Sequence, residues 1–492
     1  MTGSAKNIKV TDLGQLDDKR LVPELQKRLK DDRLAFISYG DCRSELGALS
    51  KVTHESAAKL WQPLVESAIT FLKMHDPREW GEEYDEPSTK EERSSLKAFG
   101  IERLSKYFIQ FKEFEKILYG AEKYYHEHTL HVLRVWILGA LLLDDWFQTG
   151  NMPSIEFFED VEEKTGKPVS ELISKEEIQA MWCIIALSHD LGYPLQKIDS
   201  INEQARIMLR QYAKVNLQDL NFDVPQQHQF INDFILKFIS SRTMMPEELT
   251  NKFAGENSKE EDSEKIKERN RDIIIEKKKR IFRTHVQSKY YLKYSKSLED
   301  FEHGIFSAIL LMRSLTYFLE SDFDMDELKP LDFDDAKQCA IRREILRAIA
   351  CHTCEEIYHI SPDTLGCLLI ICDELQSWGR PTFEEMQFVA DTEPIATLTK
   401  FDSQEVEFQL KLPGDKSSLR NRSKTIFRRL HKIFRVAVAA PERKFNCRVT
   451  IESKDCLPDI YKFEFTSKRP QFKFTCNGSD LDLWGEYIEE DK

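Results

Sequence analysis

A mainly α fold with a small C-terminal α+β domain is what the sequence predicts, and three observations carry that reading. Apolar residues recur at three- and four-residue intervals from about Leu96 to Pro381, the period of helices with one buried face. Beyond Pro381 the period shortens to two: Val406, Phe408, Leu410 and Leu412 alternate with polar residues, as in a half-buried strand. Between this run and the next, LRNRSKTIFRRLHKIFR places Leu419, Ile426, Phe427, Leu430, Ile433 and Phe434 on one helical face and basic residues on the other.

The elements follow in chain order. Residues 1–95 read as a helical N-terminal region, because KLWQPLVESAITFLKM has helical apolar spacing through Leu60, Leu64, Ala68 and Leu72. A polar, acidic break at Asp76 to Arg93 separates it from a large helical domain, 96–385. That domain carries an insertion at about 245–280, whose charged part, Glu256 to Arg280, is expected to be a solvated helix or a mobile insertion. The C-terminal domain, 400–492, contains further alternating runs at Phe445–Ile451, Tyr461–Phe465 and Phe472–Phe474. One helix packed on a sheet is the expected arrangement, with the apolar stripe on the sheet. The basic face of that helix could meet an anionic partner, a reading outweighed by the packing role of its apolar stripe.

Composition narrows the function classes. A formal net charge of -14 over 492 residues makes non-specific binding to a nucleic-acid backbone unexpected. No stretch approaches the roughly 18–20 apolar residues of a membrane span. The N-terminus, MTGSAKNIKVTDLGQ, has neither the apolar core nor the cleavage pattern of a secretory signal, so the expected location is cytoplasmic. Ten cysteines in such a chain are not a disulfide scaffold, and Cys183, Cys367 and Cys372 lie in apolar surroundings. Cys351 and Cys354 form a CxxC, but no second pair stands at zinc-site spacing, so two free helix thiols are expected. A homo-oligomer is compatible with all of this.

The chemistry concentrates in apolar helices that carry metal-binding side chains. YYHEHTLHVLRVWILGALLL, ALSHDLGYP, EHGIFSAILLM, ILRAIACHTC and LLIICDELQSWGRP supply His131, the adjacent pair His189-Asp190, His303, His352 and Asp373. Burying imidazoles beside carboxylates is costly unless a cation compensates, and helical bundles build metal sites from side chains on facing helices. Imidazole and carboxylate donors without thiolate suit divalent Mn, Fe, Co, Ni or Zn. His131, His189, Asp190 and Asp373 would hold one ion. With His303 and His352 added, Asp190 would bridge to a second, and two ions about 3.5–4 Å apart activate a water and neutralise a phosphate. His128 and His131 lie one turn apart; His131 is favoured as ligand because the apolar stripe continues from it, leaving His128 as a supporting or substrate contact. His54, His75, His228, His285, His359 and His431 are read as ordinary core or surface histidines.

At these residues the sequence resembles the HD superfamily of metal-dependent phosphohydrolases, whose signature is a His, then an adjacent His-Asp, then a distant Asp. HVLRVW matches through His131, LSHDLGYP through His189 and Asp190, and ICDELQSWGRP through Asp373. EHGIFSA and IACHT look like the extra histidine segments of the binuclear branch, which includes symmetrical diadenosine-tetraphosphate hydrolases and the HD-GYP cyclic-di-GMP phosphodiesterases. The resemblance covers roughly the middle 290 residues, the extent of one large domain. It implies a helical catalytic core, one or two divalent ions (Mg among them), His189 and Asp190 as catalytic ligands, and hydrolysis of a phosphoester or phosphoanhydride bond in a cyclic nucleotide, dinucleotide or dNTP.

Three departures accompany it. Gly192-Tyr193-Pro194 follows the His-Asp pair directly, whereas in the HD-GYP family that tripeptide sits in a separate downstream segment. The lysine that family places soon after the pair is absent; Tyr193 stands near its position and Lys197 is the nearest lysine. The charged insertion enlarges the core beyond a minimal diadenosine-tetraphosphate hydrolase. Arg134, one turn from His131, and Arg380, in the WGRP segment, are candidate phosphate contacts with Lys197. Glu374 is a candidate to orient a ligand or water. The alternative function is a non-catalytic HD-type nucleotide sensor that signals through the C-terminal domain.

Overall fold

The computed structural model describes residues 14–39, 42–79, 99–121, 127–212, 226–245, 263–324, 329–354, 356–357, 363–376, 378, 395–401, 405–412, 417, 419–424, 426–427, 446–453, 460–466 and 471–481. It is mainly helical, with a mixed sheet formed largely by the C-terminal residues.

The bundle is built around α6, Lys175–Ser188, in which every residue from Glu177 to Ser188 is buried. A helix apolar on all sides belongs at the centre. Its neighbours are α2 (His54–Met74), α4 (Thr129–Gln148), α13 (Phe333–Cys351) and α14 (Leu365–Leu375). Local sequence explains where several of these begin. Ser174 and Glu177 form a reciprocal capping box at α6, and Thr53 with Ser56 does the same at α2. Asp332 and Thr364 accept from the backbone N–H groups of Asp335 and Cys367 at the starts of α13 and α14. Close approach is achieved at Gly139, where an added Cβ would fall 2.0 Å from the Trp182 ring, so α4 and α6 meet nearly backbone to ring.

The N-terminal residues contribute to the same core. Leu60, Trp61, Leu64, Val65 and Ala68 of α2 are buried against α6, and the Trp61 indole donates to the carbonyl of Leu187 at 2.7 Å. Helix α1, Asp18–Lys30, packs on α4. There Arg28 is ion-paired with Asp144 and Asp145, at 2.9 Å each.

The described part of the charged segment is a helix exposed along most of its length, one of the two expected forms, and it is docked at its C-terminal end. Residues 263–271 form α10, continued by a π turn at Asp272–Glu276 that buries Ile273 and Ile274. Asn270 and Arg271 donate to the carbonyls of Lys164 and Thr165, at 3.0 and 3.3 Å. Those carbonyls end α5 (Glu156–Thr165) and have no partner within their own helix. The charge pattern reports one solvated face; the two isoleucines decide the docking. A two-stranded antiparallel ribbon, β2 (Ser241–Met244) with β3 (Arg283–Val286), also interrupts the helical region.

The sheet runs in the order β1-β4-β5-β6-β7-β8-β9. Strands β5 (Glu405–Leu412), β6 (Asn446–Ser453), β7 (Tyr461–Thr466) and β8 (Gln471–Cys476) fall on the alternating runs, and β9 (Ser479–Asp480) closes one edge. β5 and β6 pair in parallel, which requires a crossover. The helical residues 419–424 and 426–427 lie in that connection; Leu419, Ser423 and Phe427 are buried, and Phe427 stacks on Phe474. The apolar stripe therefore faces the sheet in its described part, while Leu430, Ile433 and Phe434 lie outside the described residues. Strand β4 (Ile395–Phe401) was not anticipated, nor was β1, Gly14–Gln15, which pairs antiparallel with it. Phe401 stacks on Trp146 of α4 at 5.1 Å and joins sheet to bundle. Among the described residues no helix is long and apolar enough to cross a membrane.

Candidate metal centre

The centre is organised by Asp190, which the end of α6 places between two pairs of histidines. Helix α6 stops at Ser188, and the chain turns through His189–Gly192 before the short helix α7, Tyr193–Gln196. The turn is pinned by three hydrogen bonds with Tyr107 and Ser307. Tyr107 donates to the Leu191 carbonyl at 2.7 Å, Ser307 Oγ donates to the His189 carbonyl at 2.6 Å, and Gly192 N–H donates to Ser307 Oγ at 2.8 Å. At Gly192 a Cβ would meet the His303 carbonyl oxygen at 2.3 Å. Glycine thus lets the turn lie directly on the first turn of α12, His303–Ser314.

The two carboxylate oxygens of Asp190 face different partners. Oδ2 lies 3.2 Å from His189 Nε2, 3.6 Å from His131 Nε2 and 3.9 Å from His128 Nε2. Oδ1 lies 3.1 Å from His303 Nε2 and 3.9 Å from His352 Nε2. Asp373 reaches the first set through His131 Nε2, at 2.9 Å. The ligand atoms of His131, His189 and Asp190 lie within 4.8 Å of one another, as do those of Asp190, His303 and His352. All six side chains singled out from the sequence are therefore brought together.

Each of the four histidines is held through its Nδ1 by an oxygen. His189 and His352 are C-cap residues of α6 and α13, and each turns its Nδ1 back to the carbonyl three residues earlier, Ala186 at 2.8 Å and Ile349 at 2.6 Å. Helix ends leave such carbonyls without an N–H partner, so the ring satisfies a local need while it is oriented. His131 and His303 use glutamine oxygens, Gln376 Oε1 and Gln196 Oε1, both at 2.5 Å. An oxygen acceptor fixes the proton on Nδ1 and leaves the Nε2 lone pair aimed inward.

A cation fits this donor set. With Nδ1 protonated, four neutral Nε2 atoms and two carboxylates converge as acceptors only; Nε2 of His189 is buried and makes no hydrogen bond. His303 and His352 bring their Nε2 atoms to 3.1 Å of each other, near the ~3 Å separation expected of two nitrogens about 2.0–2.1 Å from one ion. The electrostatics mark a demand for positive charge at the two carboxylates, which protons on the facing rings meet in part and a cation would meet instead. Burial alone would raise the Asp190 carboxyl, but the facing His189 and His128 hold it well below the ordinary carboxylate range. Burial likewise opposes ionisation of Asp373, and His131 overrides it. Burial, reinforced by His303 and His189, pushes His352 down to about 3, which keeps it neutral and able to donate a lone pair. At His189 burial works the same way but the Asp190 charge outweighs it, so that ring is pulled upward.

His131 and His189 are fully buried, whereas His303 is 15% and Asp373 28% exposed. The centre opens along the edge formed by these last two. Beside it, the Tyr193 ring packs 4.1 Å from His128 and 5.3 Å from His303, with Lys197 Nζ 5.3 Å from its centroid. His128 is set from behind by Glu115, which accepts its backbone N–H at 2.6 Å and faces its Nδ1 at 3.3 Å. Arg134 is used differently from the phosphate contact the sequence suggested. It is buried, forks onto Asp18 and donates to the Trp378 carbonyl. Arg380 lies outside the described residues. Cys351 and Cys354 are buried free thiols, and burial pushes Cys354 up to about 11.

Sequence reasoning missed the groups that orient the histidines: Gln376, Gln196, Glu115 and Ser307. No family model matches this chain, and neither a curated protein nor a solved structure matches it.

Proposed function

We propose that the protein is a metal-dependent phosphohydrolase of the HD type, using two divalent ions to hydrolyse a phosphoester or phosphoanhydride bond of a nucleotide. The observation that carries this reading is the division of Asp190, one oxygen toward His131 and His189 and the other toward His303 and His352. A single structural ion would need no second histidine pair on the far oxygen. His131, His189, Asp190 and Asp373 would hold one ion, and Asp190, His303 and His352 the other. When bound, such ions supply positive charge against a phosphate and lower the pKa of a water.

The protein's own residues do the rest. The Nδ1 contacts fix the four rings, so little reorganisation accompanies loading. His128 and Tyr193 wall the inner side and exclude bulk water. The edge at Asp373 and His303 leaves an approach for a phosphate, with Lys197 as the nearby cation to meet it.

The test is direct. Protein purified without chelator is assayed for metal per chain, then loaded with Mn, Fe, Co or Mg and offered dNTPs, dinucleoside polyphosphates and cyclic dinucleotides, with Asp190→Ala as the blank. Two ions per chain and turnover absent from the blank support the proposal. Activity unchanged in the blank, or no metal in the wild-type protein, overturns it. Tight nucleotide binding without turnover would instead favour a sensor.

A further inference from the structure

We infer that Asp18, at the start of α1, is a positioning residue for His131. The inference rests on the metal-centre reading and goes beyond it, to how one ligand is aimed. Four links connect the two residues. The Asp18 carboxylate takes a two-pronged contact from Arg134, Nε to Oδ1 at 2.9 Å and Nη2 to Oδ2 at 2.8 Å. The third guanidinium nitrogen, Nη1, donates to the Trp378 carbonyl at 3.2 Å. That carbonyl also accepts from Gln376 Nε2 at 2.8 Å, and Gln376 Oε1 faces His131 Nδ1 at 2.5 Å. Arg134, Trp378, Gln376 and His131 are all buried.

The direction of the relay follows from donor and acceptor chemistry. A carbonyl oxygen only accepts, so the end of Gln376 that faces Trp378 O must be its NH2. Its oxygen must then face His131, which forces the imidazole proton onto Nδ1 and leaves Nε2 for the metal. Arg134 and the Trp378 carbonyl thus set the tautomer of His131, and Asp18 fixes Arg134. Lysine could not substitute, since the arrangement needs a planar fork with a third donor.

Asp18 is itself braced. The Trp378 indole donates to its Oδ1 at 3.0 Å and the Val52 N–H to its Oδ2 at 3.1 Å. Two residues earlier, Leu16 N–H donates to the Ala396 carbonyl at 2.8 Å, where β1 joins β4. A short strap therefore runs from the sheet to the residue that orients a buried metal ligand.

Co(II) titration of the full-length protein, read by its visible absorption and by competition with a chromophoric chelator, tests this. Asp18→Asn removes the charge that holds the fork. It should weaken the ion held by His131 about tenfold, the lower end of the 10–100-fold seen for outer partners of ligands, and leave the ion at His303 and His352 within about twofold. Asp18→Glu, which keeps the carboxylate, should recover most of the loss. Should Asp18→Asn fail to fold, Arg134→Lys carries the same expectation. Equal affinities in variant and wild type overturn the inference, as does an equal weakening of both ions, which would mark a general loss of structure. No Co(II) uptake by the wild-type protein overturns the metal reading and this one together.

Discussion

The two histidine pairs around Asp190 are built to different standards. His131 and His189 lie in or at the end of central helices and are wholly buried; in the second pair His352, at the end of α13, has a side chain only 1% exposed, and His303, which opens α12, is the open one at 15%. The first pair is fixed by the packing of the bundle, since α4 and α6 share Gly139 and Trp182 at their contact. In the second, His303 depends on a junction between the His189–Gly192 turn and the start of α12. The difference teaches that three of the four rings come with the core, and that the fourth, His303, comes with a single docked turn. The carboxylate shared by the two pairs is where they can be separated by experiment.

The largest effect should come from Asp190→Ala, which removes the bridge. Both ions should be lost from metal analysis, and activity should fall by more than the roughly 10–100-fold that loss of an outer partner costs. Retention of either ion would show that one pair binds without the bridge. Next in size is the contrast between His189→Ala and His352→Ala. The first should abolish turnover and lower the thermal midpoint of the loaded protein, because an ion that binds only the folded state stabilises by mass action. The second should leave one ion per chain and, if two are needed, remove most of the activity. Full activity in His352→Ala would reduce the chemistry to the four-residue set of His131, His189, Asp190 and Asp373.

Both pairs, with Asp190 and Asp373, could be read from the sequence. His131, His189 and Asp190 stood out because helices with few other polar residues carried them inward, and the apolar frame itself was the signal. The helical region and the period-two strands were legible for the same reason, a repeated choice of apolar residue. Gln376 and Gln196 were not, because an amide that orients a ring leaves no periodicity and its partner is distant: 245 residues from Gln376 to His131 and 107 from Gln196 to His303. β1 is two residues long, below the length at which alternation exists, and only its pairing with β4 reveals it. The docking of residues 263–276 was hidden by charge, since two isoleucines among many ionised neighbours do not outweigh them in a pattern.

The junction itself can be broken without touching a ligand. Gly192→Ala puts a methyl 2.3 Å from the His303 carbonyl and 2.8 Å from the Ser307 N–H, both backbone atoms that cannot swing aside. Overpacking of this kind costs about 1–3 kcal/mol, measurable as a shift in the urea midpoint at constant slope. It should also weaken the ion at His303 and His352 more than the ion at His131 and His189. Equal weakening would mean that the pairs are not mechanically distinct.

The smallest change, Ser307→Ala, isolates the same junction by chemistry instead of bulk. The Ser307 hydroxyl donates to the His189 carbonyl and accepts from Gly192 N–H, so it spans the ends of the turn that presents Asp190. Deleting it strands one buried acceptor and one buried donor, at a cost of about 1–3 kcal/mol when no water replaces it and nearer 1 when one does. Because no atom is added, α12 need not move, and both ions should still load with the affinity ratio of the wild type. A fall in stability with that ratio preserved would assign the hydroxyl to holding the turn closed. A change in the ratio would show that even this one bond sets how Asp190 is shared between the two pairs.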